Sequence, residues 1–270
     1  LFRSGDEASV SIQRASNGRY KVAMVGDAFD ARGLIRQVRK PQGTATDKSF
    51  AENVSVTASI DRVTGYNGVR LDNFTGRIES GSGGVTKVDI DGKLDGRSSF
   101  RFRLEPAGTA QVATGSFGDA GAALKFLDLY ERMRGGTGQL QVNMHDTKTW
   151  DGSFIVQNMS ITEDAALKQL SSDPRIFRED DDRGRNRAVA ARQSGESSFE
   201  TLDIYFTRAG DTLSIQKGAL IGAVFGGTVV GTVDLKSQTM DLTGTFVPIY
   251  ALNNFFLQHK MHVFHFIFKG

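Results

Sequence analysis

The sequence predicts a mainly β fold: a long, curved antiparallel sheet, an open groove built as a meander, that carries two short amphipathic helices. Apolar and polar residues alternate with a period of two through most of the chain, as is typical of strands with one apolar and one polar face. The chain has 31 Gly against 4 Pro, and Asp-Gly, Asn-Gly and Gly-Gly steps supply turns. Segments with the helical period of 3.6 residues occur only twice.

The alternation is clearest in four predicted strands. Their polar positions include Arg101 and Arg103 in one strand and Gln141 and Asn143 in another. The apolar positions between them are Val54, Val56, Ala58 and Ile60; Phe100, Phe102 and Leu104; Leu140, Val142 and Met144; and Leu202, Ile204 and Phe206. Side chains of one strand alternate between its two faces, so the predicted sheet has one apolar and one polar face.

Turn residues divide these strands. Asn17-Gly18, Asp91-Gly92, Asp151-Gly152 and Ala209-Gly210-Asp211 are predicted to reverse the chain between neighbouring strands. The sequence therefore predicts local hairpins in a meander, without the alternating strands and helices of a nucleotide-binding sheet.

The first predicted helix spans residues 119–134, with Asp119 as its cap and Gly135-Gly136 as its stop. Its apolar side consists of Leu124, Leu127, Tyr130 and Met133. The second spans residues 161–171 after a capping box that begins at Ser160. Both are expected to pack on the sheet.

The chain divides into two β-rich segments, residues 1–172 and residues 198–256. Residues 173–197 are rich in charge and lack apolar periodicity, so we expect a charged linker or loop. Residues 257–270 form an atypical tail, as expected of a truncated or frame-shifted end. The start of the sequence has no initiator Met and no signal-peptide pattern, and we interpret the chain as a fragment of a longer protein.

Composition and motifs argue against several functional classes. The net charge of +2 is spread along the chain and favours no nucleic-acid partner, and the absence of Cys excludes thiolate chemistry. Asp89 and Asp91 lack the other ligands of a calcium loop and are expected to flank a hairpin turn. His145 has no nucleophile motif to serve. We therefore expect no enzymatic activity, no metal and no cofactor.

Three strings of residues carry a resemblance to a known family. They are Phe126–Gly136, Asp151-Gly152-Ser153-Phe154 and Leu242–Asn254. Together they resemble the carboxy-terminal region of AsmA-like proteins, the bridge-like envelope lipid-transport group that includes YhdP and TamB relatives. The similarity spans about residues 1–256, and the chain departs from the family pattern after Asn254. None of the strings is catalytic.

The resemblance implies a location and a cargo. It implies a periplasmic β-rich bridge, tethered to the inner membrane in the full-length protein, whose groove carries phospholipid towards the outer membrane of a Gram-negative cell. Phospholipid is then the main partner, other envelope proteins are further candidate partners, and contact with the membrane is made by flanking regions outside this sequence.

The apolar stripe suits such a cargo, because exposing an acyl chain to water costs about 0.8 kcal/mol per methylene. The candidate lipid-facing residues are Val54, Val56, Ile60, Phe100, Phe102, Leu104, Leu140, Val142, Met144, Leu202, Ile204 and Phe206. The same stripe is also compatible with the filled core of a closed β-sandwich. Two other functions stay open: a non-catalytic outer-membrane assembly factor, and a structural or adhesin-like β protein.

Overall fold

The computed structural model describes residues 6–39, 53–81, 84–162, 195–222, 225–237, 239–248 and 264–269. The strands are Glu7–Arg14 (β1), Tyr20–Asp30 (β2), Val54–Thr64 (β3), Arg70–Gly81 (β4), Gly84–Leu94 (β5), Ser98–Ala107 (β6), Ala110–Phe117 (β7), Met133–Met144 (β8), Thr149–Thr162 (β9), Glu196–Ala209 (β10), Thr212–Gly222 (β11), Phe225–Asp234 (β12), Thr239–Pro248 (β13) and Phe264–Lys269 (β14). The helices are Arg32–Arg39 (α1) and Ala120–Phe126 (α2).

Within these residues the fourteen strands form one sheet, in the order in which they occur in the chain. Every adjacent pair is antiparallel except β2 and β3, which run parallel. In the described part of the chain β1 pairs only with β2 and β14 only with β13, so the sheet is open. The predicted mainly antiparallel β fold with two short helices is confirmed, and the described strands do not form the alternative, two sheets closed into a sandwich.

Two of the four predicted turns are confirmed. Asn17-Gly18 lies between β1 and β2, and Gly210 reverses the chain between β10 and β11 with a φ of 63°. Asp91-Gly92 and Asp151-Gly152 were wrongly predicted as turns, because they lie inside β5 and β9. Asp89 and Asp91 therefore do not flank a hairpin turn.

Gly92 and Gly152 make room for large side chains of neighbouring strands. A Cβ atom on Gly92 would lie 2.7 Å from Cγ of Leu71, and one on Gly152 would lie 2.5 Å from the backbone carbonyl oxygen of Gln141 and 2.9 Å from Cζ of Phe206. Large apolar side chains thus occupy the space that a side chain at either glycine would need. The turn after β5 is made instead by Asp95-Gly96, where Asp95 and Gly96 have φ values of 47° and 73°.

The first predicted helix is real but shorter. Asp119 caps it as predicted, because its carboxylate accepts a hydrogen bond of 2.8 Å from the backbone N–H of Ala122. The helix ends at Phe126 rather than near residue 134, since the carbonyl of Phe126 accepts from the N–H of Tyr66 and Asp128 turns into the left-handed region with φ 55°. Met133 and Gly135-Gly136 belong to β8.

The second predicted helix is not supported where the structure describes it. Ile161 and Thr162 lie in β9, and residues 163–171 lie outside the described residues. The backbone of Ser160 and Ile161 is instead paired with β10 and β8. Pairing with neighbours that are distant in sequence overrides the local capping pattern.

Helix α1 was not predicted. It connects the parallel strands β2 and β3, and a parallel pair requires a crossover connection. Leu34 and Ile35 of this helix pack against the main core cluster. With only eight residues, the helix offers too short an apolar pattern to stand out from the sequence.

The predicted charged linker does not divide the sheet. Strands β9 and β10 pair from Thr149 opposite Ala209 to Thr162 opposite Glu196. The two predicted β-rich segments therefore belong to one sheet. Within the predicted atypical tail, the backbone of Phe264–Lys269 forms β14 and pairs with β13.

The core lies at one end of the sheet, beneath the helices. Phe126 of α2 and Leu34 and Ile35 of α1 belong to or pack against the main cluster. The buried members of that cluster are Phe29, Ala31, Ile60, Val63, Val69, Leu71, Leu94, Phe100, Phe117, Ala123 and Phe126. We call this the helix end of the sheet, and the opposite end, where the turns after β1, β8 and β10 lie, the turn end.

Candidate functional site on the apolar face of the sheet

The apolar face consists of rows of side chains that run from strand to strand, because residues paired in register lie on the same face. The first row, which we call the central row, has one residue from each strand from β1 to β13. Its members are Val10, Met24, Ala58, Gly76, Ile90, Phe102, Gly115, Leu140, Phe154, Ile204, Gly218, Val229 and Gly244. Every member is apolar or glycine.

A second row lies beside the central row on the side of the turn end. Its members are Ile12, Val22, Val56, Ile78, Val88, Leu104, Ala113, Val142, Gly152, Phe206, Ile215, Gly231 and Leu242. Again no member is polar. With about 4.8 Å between neighbouring strands, twelve spacings give the two rows a length of roughly 58 Å.

The twelve predicted lipid-facing residues all fall on this face. Phe102, Leu140 and Ile204 belong to the central row. Val56, Leu104, Val142 and Phe206 belong to the second row. Ile60, Phe100 and Leu202 lie nearer the helix end, and Val54 and Met144 lie at the turn end, as alternation along their strands requires.

Exposure divides these residues into two groups. Near the helix end the face is a filled core, because Ile60 is 2% exposed and Phe100 is 7% exposed among aromatic rings and helix side chains. In the central row the larger side chains, such as Phe102 and Leu140, are only half-buried. The face is therefore closed beneath the helices and open along its central row.

The second row is open over part of its length. Leu104, Ala113 and Val142 form a small buried cluster, against which Met144 and Phe206 pack. Most of the other members are half-buried, and at the β1 edge Val10 of the central row is 42% exposed and Ile12 of the second row is 66% exposed. The candidate site is therefore the central row together with the open parts of the second row.

The sequence predicted 7 of the 26 positions of the two rows as lipid-facing and missed the other 19. Apart from Ala58, the missed positions lie in strands that supplied no candidate, where glycines such as Gly76 and Gly115 occupy places in the central row. A glycine is neutral in an apolar-polar pattern and interrupts the alternation that marks a strand. The polar residues at alternate positions of β4, such as Arg77 and Glu79 around Ile78, are the signal that was available in the sequence.

The opposite face is polar and carries a ladder of ion pairs. Arg103 contacts Asp89 at 2.6 Å and Asp91 at 2.8 Å, and Arg101 contacts Asp91 at 2.9 Å. Partial burial of Asp91 opposes its ionisation, but hydrogen bonds from Arg101 and Arg103, together with their charges, lower its pKa below the ordinary value. The charged side chains of the ladder make this face hydrophilic.

A second polar cluster on the same face joins β8 to β9. The amide of Asn143 donates a hydrogen bond of 2.7 Å to Asp151, and the ring of His145 also contacts that carboxylate. These two hydrogen bonds, from Asn143 first and His145 second, lower the pKa of Asp151. In the described part of the chain no group of three His, Cys, Asp or Glu side chains is arranged to hold a metal.

At the turn end, an aromatic ring and a cation meet on the apolar face. The guanidinium carbon of Arg208 lies 4.3 Å from the centre of the Trp150 ring, and the two residues are paired in register. Nε of Arg208 donates to the carbonyl of Gly210 at 2.8 Å, and Nε1 of Trp150 donates to the carbonyl of Asp146 at 3.0 Å. Sequence reasoning did not identify this pair, because its members lie on different strands.

None of the helices among the described residues has both the length and the hydropathy needed to span a bilayer. The chain matches no protein-family model, and no curated protein and no solved structure is significantly similar to it.

Proposed function

We propose that this chain is a segment of a Gram-negative envelope protein that shields phospholipid acyl chains on its apolar face during transport between the inner and outer membranes. One observation carries the proposal: the central row is apolar or glycine at each of thirteen consecutive strands, and its larger side chains are left half-exposed. A monomeric soluble sheet normally covers such a face. An acyl chain is a suitable cover, because it needs hydrophobic contact and no specific chemistry.

The energetics favour this use of the face. Moving one ordinary acyl chain into water costs on the order of 10 kcal/mol at about 0.8 kcal/mol per methylene. An acyl chain is roughly 15 Å long, half of a hydrocarbon core of about 30 Å. Rows of roughly 58 Å therefore accommodate several acyl chains in succession. Pairing within the sheet satisfies the backbone, so the lining adds no unpaired polar groups from the strands.

The core at the helix end supports the open face. Buried residues such as Ile60, Val156 and Leu71 are 2%, 0% and 1% exposed, respectively, and they hold the strand ends together. The apolar burial that stabilises the sheet is concentrated there, so the central row does not need to collapse onto itself. In this proposal no residue is catalytic and no cofactor takes part.

In this proposal the full-length protein lies in the periplasm, and its inner-membrane tether lies outside the present sequence. Its partners are phospholipid, other envelope proteins and the membrane that the flanking regions contact. The polar face, with its ladder of Asp89, Asp91, Arg101 and Arg103, faces the aqueous compartment.

The first experiment is to purify the chain and to analyse bound lipid by mass spectrometry. We expect phospholipid to copurify with the folded protein. A photocrosslinking amino acid at Leu140 is expected to form lipid adducts, whereas one at the adjacent Gln141, which is exposed on the polar face, is expected to form none. A well-folded, lipid-free preparation without lipid adducts at Leu140 would contradict the proposal.

A second candidate function is that of an outer-membrane assembly factor or a structural, adhesin-like β protein. The exposed edge of β1 favours it, because its outer hydrogen-bonding side has no partner among the described residues and Ile12 is 66% exposed. Crosslinks from Ser11 to another protein, together with the absence of lipid adducts at Leu140, would favour this function over lipid shielding.

A further inference from the structure

We propose that Arg208 and Trp150 bind the phosphate head group of a lipid whose acyl chains lie on the apolar face. This inference rests on the proposed function, since it assigns the polar end of the same ligand to the turn end of the face. The class of ligand is an amphiphile with an anionic phosphate, and the site distinguishes it from an amphiphile with a neutral head.

Arg208 lies on the apolar face of β10. It follows Leu202, Ile204 and Phe206 at alternate positions of the strand, so its side chain continues their side of the sheet. Its register partners are Trp150 on β9 and Leu213 on β11. A half-buried cation between two apolar neighbours requires a favourable partner, because burial of an unpaired charge is costly.

The site is continuous with the apolar lining. Trp150 is paired with Met144, and both pack against the buried cluster of Leu104, Ala113 and Val142 in the second row. Phe206, which is one place before Arg208 on the same face, packs there as well. An acyl chain that lies over the open part of the second row, at Phe206 and Ile215, would therefore end beside the guanidinium of Arg208.

The guanidinium of Arg208 has hydrogen-bond donors available for a ligand. Stacking on Trp150 and the hydrogen bond from Nε to the carbonyl of Gly210 fix its plane. In the portion of the chain that the structure covers, no carboxylate forms an ion pair with Arg208. Asp146, in the adjacent turn, accepts instead from the backbone N–H groups of Lys148 and Thr149. The two terminal amino groups therefore have no partner among the described residues, and they can make the bidentate contact that suits a phosphate.

A second arginine on this face provides the matched control. Arg14 at the end of β1 is paired with Tyr20 and lies 5.7 Å from the centre of its ring. Arg14 is exposed at the edge of the sheet, whereas Arg208 is half-buried between two strands. Partial burial strengthens a charge-assisted hydrogen bond, so the proposal assigns the phosphate to Arg208 and not to Arg14.

The test uses the fluorescence of Trp150, which is the single Trp of the chain. The probe is dodecyl phosphate, titrated below its micelle concentration into lipid-depleted protein. We expect a saturable change of fluorescence and an affinity that falls about tenfold to a hundredfold in Arg208→Gln. In Arg14→Gln the affinity is expected to stay within about twofold of the wild type.

Three further binding measurements test whether the phosphate head, the lipid chain or the charge of Arg208 is recognised. Dodecyl maltoside, which has a neutral head, is expected to bind more weakly and equally well to the wild type and Arg208→Gln. Inorganic phosphate alone is expected not to compete at the concentrations where dodecyl phosphate saturates. Arg208→Lys, which keeps the charge but loses the planar pair of donors, is expected to bind dodecyl phosphate more weakly than the wild type.

Each contrary result has a distinct meaning. If dodecyl phosphate binds no tighter than dodecyl maltoside, or if folded Arg208→Gln and Arg208→Lys both bind it like the wild type, the head-group site is overturned while lipid shielding stands. If inorganic phosphate competes as well as dodecyl phosphate, the site takes free anions and the lipid assignment is overturned. If neither amphiphile binds the wild type, the proposed function fails as well.

Discussion

At the residue scale, glycine shapes the apolar face. Gly92 and Gly152 lie in the middle of strands beneath Leu71 and Phe206, whose side chains spread over the space that a Cβ atom would take. Because glycine has no side chain, a large neighbouring side chain can lie flat against the sheet at that position. The neighbouring side chain then covers the backbone of the glycine. The apolar face therefore combines large side chains with glycines on neighbouring strands.

We predict that Gly92→Ala destabilises the protein. Leu71 is 1% exposed and its Cγ would lie 2.7 Å from the new methyl group, so it has little space into which it can move. The free energy of unfolding in urea is expected to fall by about 1–3 kcal/mol. The control is Gly81→Ala, whose Cβ would meet its nearest neighbour, Thr86, at 3.5 Å, and whose effect is expected to stay within about 0.5 kcal/mol. Equal effects of the two substitutions would contradict this account of Gly92.

The lowered pKa values of Asp91 and Asp151 predict a dependence of stability on pH. Their folded-state pKa values lie below the unfolded value of about 3.9, so their contribution is present above that pH and is lost as the pH falls through the folded-state values. Urea midpoints are expected to be nearly constant from about pH 7 to pH 5 and to decrease below about pH 4. Asp91→Asn should make that acid decrease shallower, and the same substitution at the exposed Asp61 should not.

At the scale of elements, α2 ties together strands that are not neighbours. Its first turn packs on β8, where a Cβ atom on Gly121 would lie 2.6 Å from the carbonyl oxygen of Met133. Its carboxyl end reaches the connection between β3 and β4, where Tyr66 donates to the carbonyl of Phe126 and Asn67 donates to the carbonyl of Lys125. The helix thus spans the ends of the intervening strands and closes the core at the helix end.

We predict that Asp119→Ala weakens this tie. Asp119 caps the helix through the N–H of Ala122, and removal of an N-cap side chain costs about 1 kcal/mol. The change is to be measured as the free energy of unfolding in urea. Asp119→Asn is the control, because Asn is as good a cap as Asp and should retain most of the stability. A loss as large in Asp119→Asn as in Asp119→Ala would show that the charge, and not the cap, is what stabilises the helix.

At the scale of the whole molecule, the sheet separates stability from the proposed function. The helix end is a filled core, while the larger side chains of the central row, which crosses thirteen strands, are left partly exposed. The opposite, polar face carries the ladder of ion pairs. A lipid path in this sheet would run across the strands, and its length would grow with the number of strands rather than with the length of any strand.

We predict that Phe102→Asp reduces bound lipid. Phe102 is half-buried in the central row, and a carboxylate there would face the acyl chains, with which it has no favourable interaction. Phospholipid recovered per folded protein, measured by mass spectrometry, is expected to fall several-fold. The control is Thr114→Asp, on the exposed polar face opposite Arg103, which should leave the recovery unchanged. Normal recovery from folded Phe102→Asp would remove Phe102 from the lipid path.

The sequence by itself determined the features that depend on near neighbours. Alternation of period two placed all twelve candidate residues on one face, because the side-chain direction in a strand repeats every second residue. Asn17-Gly18 and Asp119 acted as predicted, since a two-residue turn and an N-cap are made within a few residues.

Only the tertiary structure decided what depends on partners far along the chain. Gly92 and Gly152 were mistaken for turn residues because Leu71 and Phe206, which cover them, come from other strands. The division of the apolar face into a filled and an open part depends on where α1 and α2 pack. The meeting of Trp150 and Arg208 likewise depends on the pairing of β9 with β10. Local periodicity specifies the face on which a side chain lies, whereas the register between strands specifies what lies beside it.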